Sequence, residues 1–303
     1  MTQFLRDLST LNREEIQTFL GSFDTILVDG DGVLWYTDNH LPESILTINR
    51  LRQLGKKVFL VSNNCTLTFD EYVEKVKTLK LDVNKDEIII PSILAAEYLK
   101  EQKLEKNAYV LACPGFKKVL ESQGIKCSDD VGPDYALKEV NLLTEEVQKM
   151  DHNVGAVIVD FDVNINYAKL TKASIHLRKP DCLFLAGACD MKVPLSSGFK
   201  IIGPGCFVSA LEQVSGRKPM IFGKPSPLIR DCIMKKYPID CGRTLMIGDM
   251  LESDIKLGTN CGFLKLLVLS GISKLEDTKE DNTNVPHYYI KTLGDLFPLL
   301  PTS

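Results

Sequence analysis

The sequence of 303 residues contains no apolar run approaching the roughly 20 residues that a membrane-spanning helix needs. Its start, Met1 to Arg13, mixes charged with apolar side chains and lacks the uninterrupted apolar stretch of a secretory signal. There is no Cys-x-x-Cys pair. The nine cysteines are odd in number and widely spaced, which argues for free thiols in a reducing compartment and against a disulfide frame or a zinc site. Four histidines (His40, His152, His176 and His287) are too scattered to form a metal set. A strong charge of one sign is missing too: 36 basic against 40 acidic side chains leave −4, no field to gather nucleic acid or anionic lipid. Internal repeats and low-complexity tracts are absent. What is present, 44% apolar and 25% charged, is the composition of a folded protein long enough for two domains. A soluble cytoplasmic protein is the expectation, with neither nucleic acid nor membrane as a partner.

Short apolar runs alternate with segments of helical period. Thr25 to Val28 reads as a buried strand that stops at Asp29-Gly30-Asp31-Gly32. Pro42 to Leu54 places Ile45, Ile48, Leu51 and Leu54 on one helical face, with Gly55 at the stop. Val58 to Val61 is a second strand, ending at Ser62-Asn63-Asn64. Thr68 with Glu71 marks a capping box that opens a helix through about Leu79, and Ile88 to Ile90 is a third strand. Strand, helix, strand at this spacing implies parallel pairing and an open α/β sheet. The rhythm returns where Met220 to Phe222 leads to Gly223-Lys224-Pro225, Leu245 to Ile247 to Gly248-Asp249, and Leu266 to Leu269 to Ser270-Gly271. Between these halves, residues 103–203 carry their own α/β pattern, with strands at 109–112, 154–159 and 183–186 and a helix at 167–177. They read as a second domain inserted into a first made of 1–102 and 204–303. Lys274 to Asn284 reads as a solvated surface loop.

Asp29-x-Asp31 directly after a buried strand puts two carboxylates at the mouth of the sheet, where ligands bind in open α/β folds. Two acids so close repel unless a cation lies between them or one takes a proton. That points to a nucleophile with an acid/base beside a divalent ion, against the plainer reading of Asp-Gly-Asp-Gly as a turn. Ser62 adds a short hydroxyl donor at the next strand end, its alternative being a helix cap. Lys224, between Gly223 and Pro225, offers a point charge for a phosphoryl group or is merely solvated. Asp249 and Asp254 supply oxygen ligands of the kind Mg²⁺ takes, although Asp254 alone also reads as a charge at a helix start.

In this order, each after an apolar strand, the set resembles the four signature motifs of the haloacid dehalogenase-like (HAD) superfamily. Asp29-x-Asp31 is similar to the first, Ser62 to the second, Lys224 to the third and Gly248-Asp249…Asp254 to the fourth. The stretch from Asp29 to Trp35, Ser62-Asn63-Asn64, Gly223-Lys224-Pro225-Ser226 and Val285-Pro286-His287-Tyr288-Tyr289 resemble the eukaryotic p-nitrophenylphosphatase branch. That branch includes phosphoglycolate phosphatase and pyridoxal phosphate phosphatase (chronophin). The resemblance implies a Rossmann-like core with a parallel sheet and an inserted α/β C2-type cap at 103–203. It implies a Mg²⁺-dependent phosphomonoester hydrolase of small phosphorylated metabolites, acting through an aspartyl-phosphate. Asp29 would be the nucleophile, Asp31 the acid/base, and Ser62, Asn63, Asn64 and Lys224 the phosphate ligands. Asp29, the Asp31 carbonyl and Asp249 would hold the metal, with Asp254 a ligand or its orienter. Dehalogenases of the superfamily need only the nucleophile, so Asp31 points to phosphate esters. A homodimer through the cap is implied as well. A protein phosphatase and a non-catalytic scaffold of the same fold are the alternatives.

Several positions depart from the branch. Gly30 stands where relatives carry a larger residue such as Cys, with little effect expected at a position that supplies mainly backbone. Met250 follows Asp249 where the branch has Arg, which removes a cation beside the metal site. Trp35 and Tyr36 are expected to pack beneath the loop. Cys65 beside Ser62 is either oxidation-sensitive or, more plainly, a buried inert thiol. In the inserted domain Asp160, Asp162, Asn164 and Asp190 are the specificity candidates. If Asp160, Asp162 and Asp190 all faced the substrate, they would disfavour one bearing its own carboxylate, since one like-charge contact at 4 Å costs about 4 kcal/mol at an effective dielectric near 20. The alternative for Asp160 is a solvent-facing side chain.

Overall fold

The computed structural model describes residues 5–36, 39–134, 139–194, 199–279 and 283–301. In chain order the elements begin with β1 (Arg6–Asp7), α1 (Arg13–Gly21), β2 (Thr25–Val28), α2 (Pro42–Gln53), β3 (Lys57–Val61), α3 (Phe69–Thr78) and β4 (Ile88–Ile89). There follow α4 (Pro91–Glu101), β5 (Asn107–Leu111), α5 (Pro114–Ser122), α6 (Val140–Gln148), β6 (Val154–Val159), α7 (Tyr167–His176) and β7 (Leu183–Ala186). The remainder are β8 (Lys192–Pro194), β9 (Lys200–Ile202), α8 (Pro204–Ser215), β10 (Met220–Ile221), α9 (Leu228–Lys236), β11 (Thr244–Gly248), α10 (Lys256–Cys261), β12 (Leu264–Val268) and β13 (Tyr288–Ile290).

The chain divides into two compact units. The first, Met1–Ser62, Asp70–Ile89 and Lys224–Ser303, holds a seven-stranded sheet in the order β1-β13-β12-β11-β2-β3-β4, with every pair parallel. All residues of β2 and β11 are buried, as expected of central strands covered on both faces, and their runs are correspondingly Leu-, Ile- and Val-rich. From β2 the chain passes to β3 on one side and returns to β11 on the other. The carboxyl end of β2 therefore lies at the switch point of the sheet, where a crevice opens between diverging connections. Asp29, Ser62 and Asp249 follow β2, β3 and β11 directly, so the topology gathers them at one edge.

The second unit, Asn63–Phe69 and Ile90–Gly223, has a parallel sheet ordered β10-β7-β6-β5 and an antiparallel β8–β9 hairpin. Tyr109, Val157, Val159, Ala173, Phe184 and Val208 form part of its core. It takes in more chain than the expected insertion 103–203. Helix α4 packs on α5, α8 packs on β6 and α7, and Met220–Ile221 extends this sheet beside β7. The run Met220 to Phe222, expected in the first sheet, is thus an edge strand of the second. Two lysines of α7 are buried among acids. Lys169 Nζ lies 2.6 Å from Asp134 and 2.9 Å from Asp162, and Lys172 Nζ lies 2.6 Å from Asp130 and 3.3 Å from Glu146.

The segment expected as a solvated loop, 274–284, is more ordered than that. Leu275–Lys279 forms a 3₁₀ turn, and Thr278 and Asn284 are buried; residues 280–282 lie outside the described residues.

Candidate active site

Asp29 leaves β2 with its amide donating to Ile247 O, which fixes the loop to β11. The turn that follows is tight: the amides of Leu34 and Trp35 donate to Gly30 O and that of Gly32 to Trp35 O. Gly30 is not indifferent, contrary to the sequence expectation. A Cβ there would lie 2.4 Å from the Trp35 ring, so the indole occupies the space of a side chain. Trp35 is buried as expected, with Lys75 Nζ 4.2 Å from its ring centre, a cation–π contact. Tyr36 is exposed instead, its hydroxyl donating to Ser270 O at 2.7 Å.

Lys224 converges on this loop from a separate stretch of chain. Its Nζ is 2.6 Å from Asp29 Oδ1 and 2.7 Å from Asp254 Oδ1, and all three residues are buried. Asp254 comes from one turn of π-helix, Leu251–Ile255, a rare geometry that recurs at functional sites, and its Oδ2 accepts from Met250 N at 3.1 Å. Asp249 follows β11, and its Oδ2 accepts from Ile272 N at 2.8 Å. Two glycines make room for that carboxylate: a Cβ on Gly271 would sit 1.8 Å from Oδ2, and one on Gly32, at φ +81°, would sit 2.6 Å away. Ser270 Oγ, donating to Gly32 O at 2.6 Å, ties the two loops together.

Asp29, Asp249 and Asp254 each offer one oxygen within 4.8 Å of the others. Among the described residues one ammonium sits beside three buried carboxylates, and the electrostatics record the imbalance. Burial pushes Asp29 well above the usual carboxylate range; Lys224 pulls it back, while Asp254, Asp249 and Asp31 push it further up. Burial, with Asp254 beside it, raises Asp249 to about 7 despite the Ile272 amide. Burial works against the charge of Lys224, but Asp254 and Asp29 outweigh it and hold the ammonium above its ordinary range. The donor set is all oxygen, negatively charged, buried and short of positive charge. It fits a hard divalent cation.

Other candidates take individual places. Asp31 is half-buried, close enough to Asp29 to raise it and facing Lys75, whose charge it supports. Ser62 is buried; its amide donates to Ile89 O and its Oγ lies 3.0 Å from the hydroxyl of Tyr72 on α3. In the second unit Asn63 Nδ2 donates to Asp190 Oδ2 at 3.2 Å, and Asn64 Oδ1 accepts from Thr66 N at 3.0 Å and Thr66 Oγ1 at 2.6 Å. Cys65 is buried and burial pushes its thiol up, the inert of its two readings.

Within the second unit the three acids expected against substrate have separate partners. Asp160 is not solvated: it is 1% exposed, accepting from Phe161 N and Ala188 N. Burial moves it up to about 7 against the pull of those two amides. Asp162 is neutralised by Lys169 and accepts from Asn164 N at 2.8 Å, while Asn164 itself is exposed. Asp190 accepts from Asn63 Nδ2. Sequence reasoning missed Tyr72, Gly271 and the Ile272 amide. The Ser270-Gly271 strand end was a signal for the last two; nothing local marks Tyr72, ten residues from the hydroxyl it meets.

Among the described residues no helix is long and apolar enough to cross a membrane. A family model described as haloacid dehalogenase-like hydrolase matches residues 26–126, and a second, HAD-hydrolase-like, matches residues 221–296. Glycerol-3-phosphate phosphatase of Mus musculus is 36% identical over 306 residues, 96% of this chain and 95% of the relative. Chronophin of Bos taurus is 33% identical over 292 residues, 93% of this chain and 94% of the relative. Among solved structures, 4-nitrophenylphosphatase of Thermotoga maritima superimposes with a TM-score of 0.74 at 30% identity, covering 92% of this chain and 98% of that one.

Proposed function

The chain belongs to the haloacid dehalogenase-like hydrolases, and from that membership we propose a phosphatase that hydrolyses small phosphomonoesters through an aspartyl-phosphate on Asp29. The observation that carries the reading is the excess of buried acid around Lys224, with Asp29 and Asp254 both at ion-pair distance from its Nζ. Such an arrangement costs stability unless a cation and a phosphoryl group complete it.

Asp29 carboxylate attacks phosphorus as the ester P–O bond breaks, and Asp31 delivers its proton to the departing oxygen. Asp31, now a carboxylate, takes a proton from water, whose oxygen attacks the acyl phosphate and releases Asp29 and inorganic phosphate. General acid/base help of this kind is worth roughly 10²–10⁴ in rate. Lys224 faces the charge that builds on the phosphoryl oxygens, and the Ser62 hydroxyl with the Asn63 and Asn64 carboxamides serves as further donors. Mg²⁺, held by Asp29, the Asp31 carbonyl and Asp249, with Asp254 as ligand or orienter, would supply electrostatic stabilisation of the phosphoryl group.

Relatives named for glycerol-3-phosphate and 4-nitrophenyl phosphate support small, non-protein substrates. Residues 103–203 and their flanks would act as the cap that selects among them. None of the nine cysteines is in a disulfide, which supports a cytoplasmic enzyme. Exposed Val163, Tyr167, Phe199 and Ile202 on the second unit support a homodimer through it, and light scattering reads the mass directly.

The decisive assay is release of p-nitrophenol from p-nitrophenyl phosphate. Wild type turns it over with Mg²⁺ and stops with chelator, and Asp29→Asn is inactive in both. Turnover by folded Asp29→Asn at the wild-type rate removes the nucleophile and the mechanism with it.

A further inference from the structure

Asp160 is a buried acid for which the proposed mechanism has no use, and its surroundings define what it does. Its amide donates to Leu111 O, fixing it at the tip of β6 beside β5. One carboxylate oxygen accepts from Phe161 N at 2.5 Å and the other from Ala188 N at 2.8 Å. The space it fills was vacated by Gly187, where a Cβ would lie 1.8 Å from Asp160 Oδ2. Burial is the main influence on this acid; the Cys65 thiol adds a third donor.

The loop held in this way, 187–190, makes the next contacts. Gly187 O accepts from Gly223 N at 2.8 Å, Asp190 O accepts from Gly205 N at 3.1 Å, and Asp190 Oδ2 accepts from Asn63 Nδ2. Gly223 is hemmed in as well, since a Cβ there would lie 2.7 Å from Gly187 O and 2.8 Å from Asn63 Oδ1. A path therefore runs from Asp160 by a hydrogen bond to the Ala188 amide, along the backbone through Cys189 to Asp190, and by a second hydrogen bond to the carboxamide of Asn63. Asn63 directly follows Ser62 in the chain, and Gly223 directly precedes Lys224.

We infer that Asp160 is a positioning residue: by holding the Ala188 amide it sets the 187–190 loop, and through Asp190 it fixes the Asn63 carboxamide for phosphate. The inference rests on the phosphatase reading. Each oxygen of Asp160 accepts from one backbone amide. A carboxamide in its place turns a donor toward one of the two amides, and a buried N–H is left without an acceptor. Asn63 meets the phosphoryl group before and during transfer alike, so disturbing it weakens binding uniformly and appears in KM more than in kcat.

The test is steady-state kinetics on p-nitrophenyl phosphate with Mg²⁺, for wild type, Asp160→Asn, Asp190→Ala and the double variant. Asp160→Asn is expected to raise KM about tenfold while kcat stays within about threefold, a split that a loosened fold would not produce. Asp190→Ala cuts the path downstream and should raise KM similarly. The double variant should be no worse than Asp190→Ala, because two breaks in one path do not multiply. Should Asp160→Asn not fold, Asp160→Gly with Gly187→Ala refills the vacated space with a methyl group and must show the same rise in KM. An unchanged KM in a folded Asp160 variant, or effects that multiply in the double variant, overturns the inference and leaves the phosphatase standing. A wild type without activity overturns both.

Discussion

The two units treat buried charge in opposite ways. In the second, Lys169 sits between Asp134 and Asp162, Lys172 sits between Asp130 and Glu146, and Asp160 is taken up by backbone amides. Both lysines there find their complement within their own unit, while burial raises Asp160 to about 7 despite its two amides. In the first, Asp29, Asp249 and Asp254 crowd beside one lysine, and burial with the neighbouring acids pushes Asp29 and Asp249 toward neutrality. Balanced charge holds a shape; unbalanced charge is held ready for something that arrives from outside. The contrast separates lysines that hold structure from the one we propose meets substrate, although all three are buried.

Replacing the lysine on the unbalanced side should have the largest effect. Lys224→Met is expected to lower kcat by about 10²–10³, in line with loss of one charge-stabilising donor, measured on p-nitrophenyl phosphate at saturating substrate. A loss below tenfold would place Lys224 among the structural lysines. On the balanced side, Lys172→Met should cost stability instead. Its partners are partly exposed, Asp130 at 32% and Glu146 at 18% of the side chain, so the cost is about 1–3 kcal/mol in denaturant unfolding, with kcat/KM within about twofold. A kinetic defect without unfolding would blur the contrast. The smallest effect is expected at Tyr72. Ser62 Oγ has one proton, and it can give that proton to phosphate only while accepting from the Tyr72 hydroxyl. Tyr72→Phe should lower kcat/KM about 3–10-fold, the worth of one hydrogen bond, and the drop should vanish in a Ser62→Ala background.

Residues that follow a central strand were legible from the sequence, because an apolar run stopping at a polar cluster places that cluster at the sheet's mouth whatever the rest of the fold does. Asp29 and Asp249 meet for that reason, whereas Lys224, which follows an edge strand of the other sheet, reaches them all the same. The acids of the second unit follow the same grammar and yet misled. Whether the carboxylate after β6 reaches outward or folds back depends on Gly187, a residue on β7's far end that leaves the room. No local pattern links positions 27 apart. Met220–Ile221 was assigned to the wrong sheet for a similar reason: a two-residue edge strand carries no mark of which neighbour it joins. Tyr72 sits at a helical position that reads equally well as core.

Gly30 and Trp35 share a single volume, with the indole pressed where a side chain on residue 30 would stand. A methyl group gained at 30 therefore displaces the ring at 35, or else shifts the turn on which the Asp29 carboxylate is mounted.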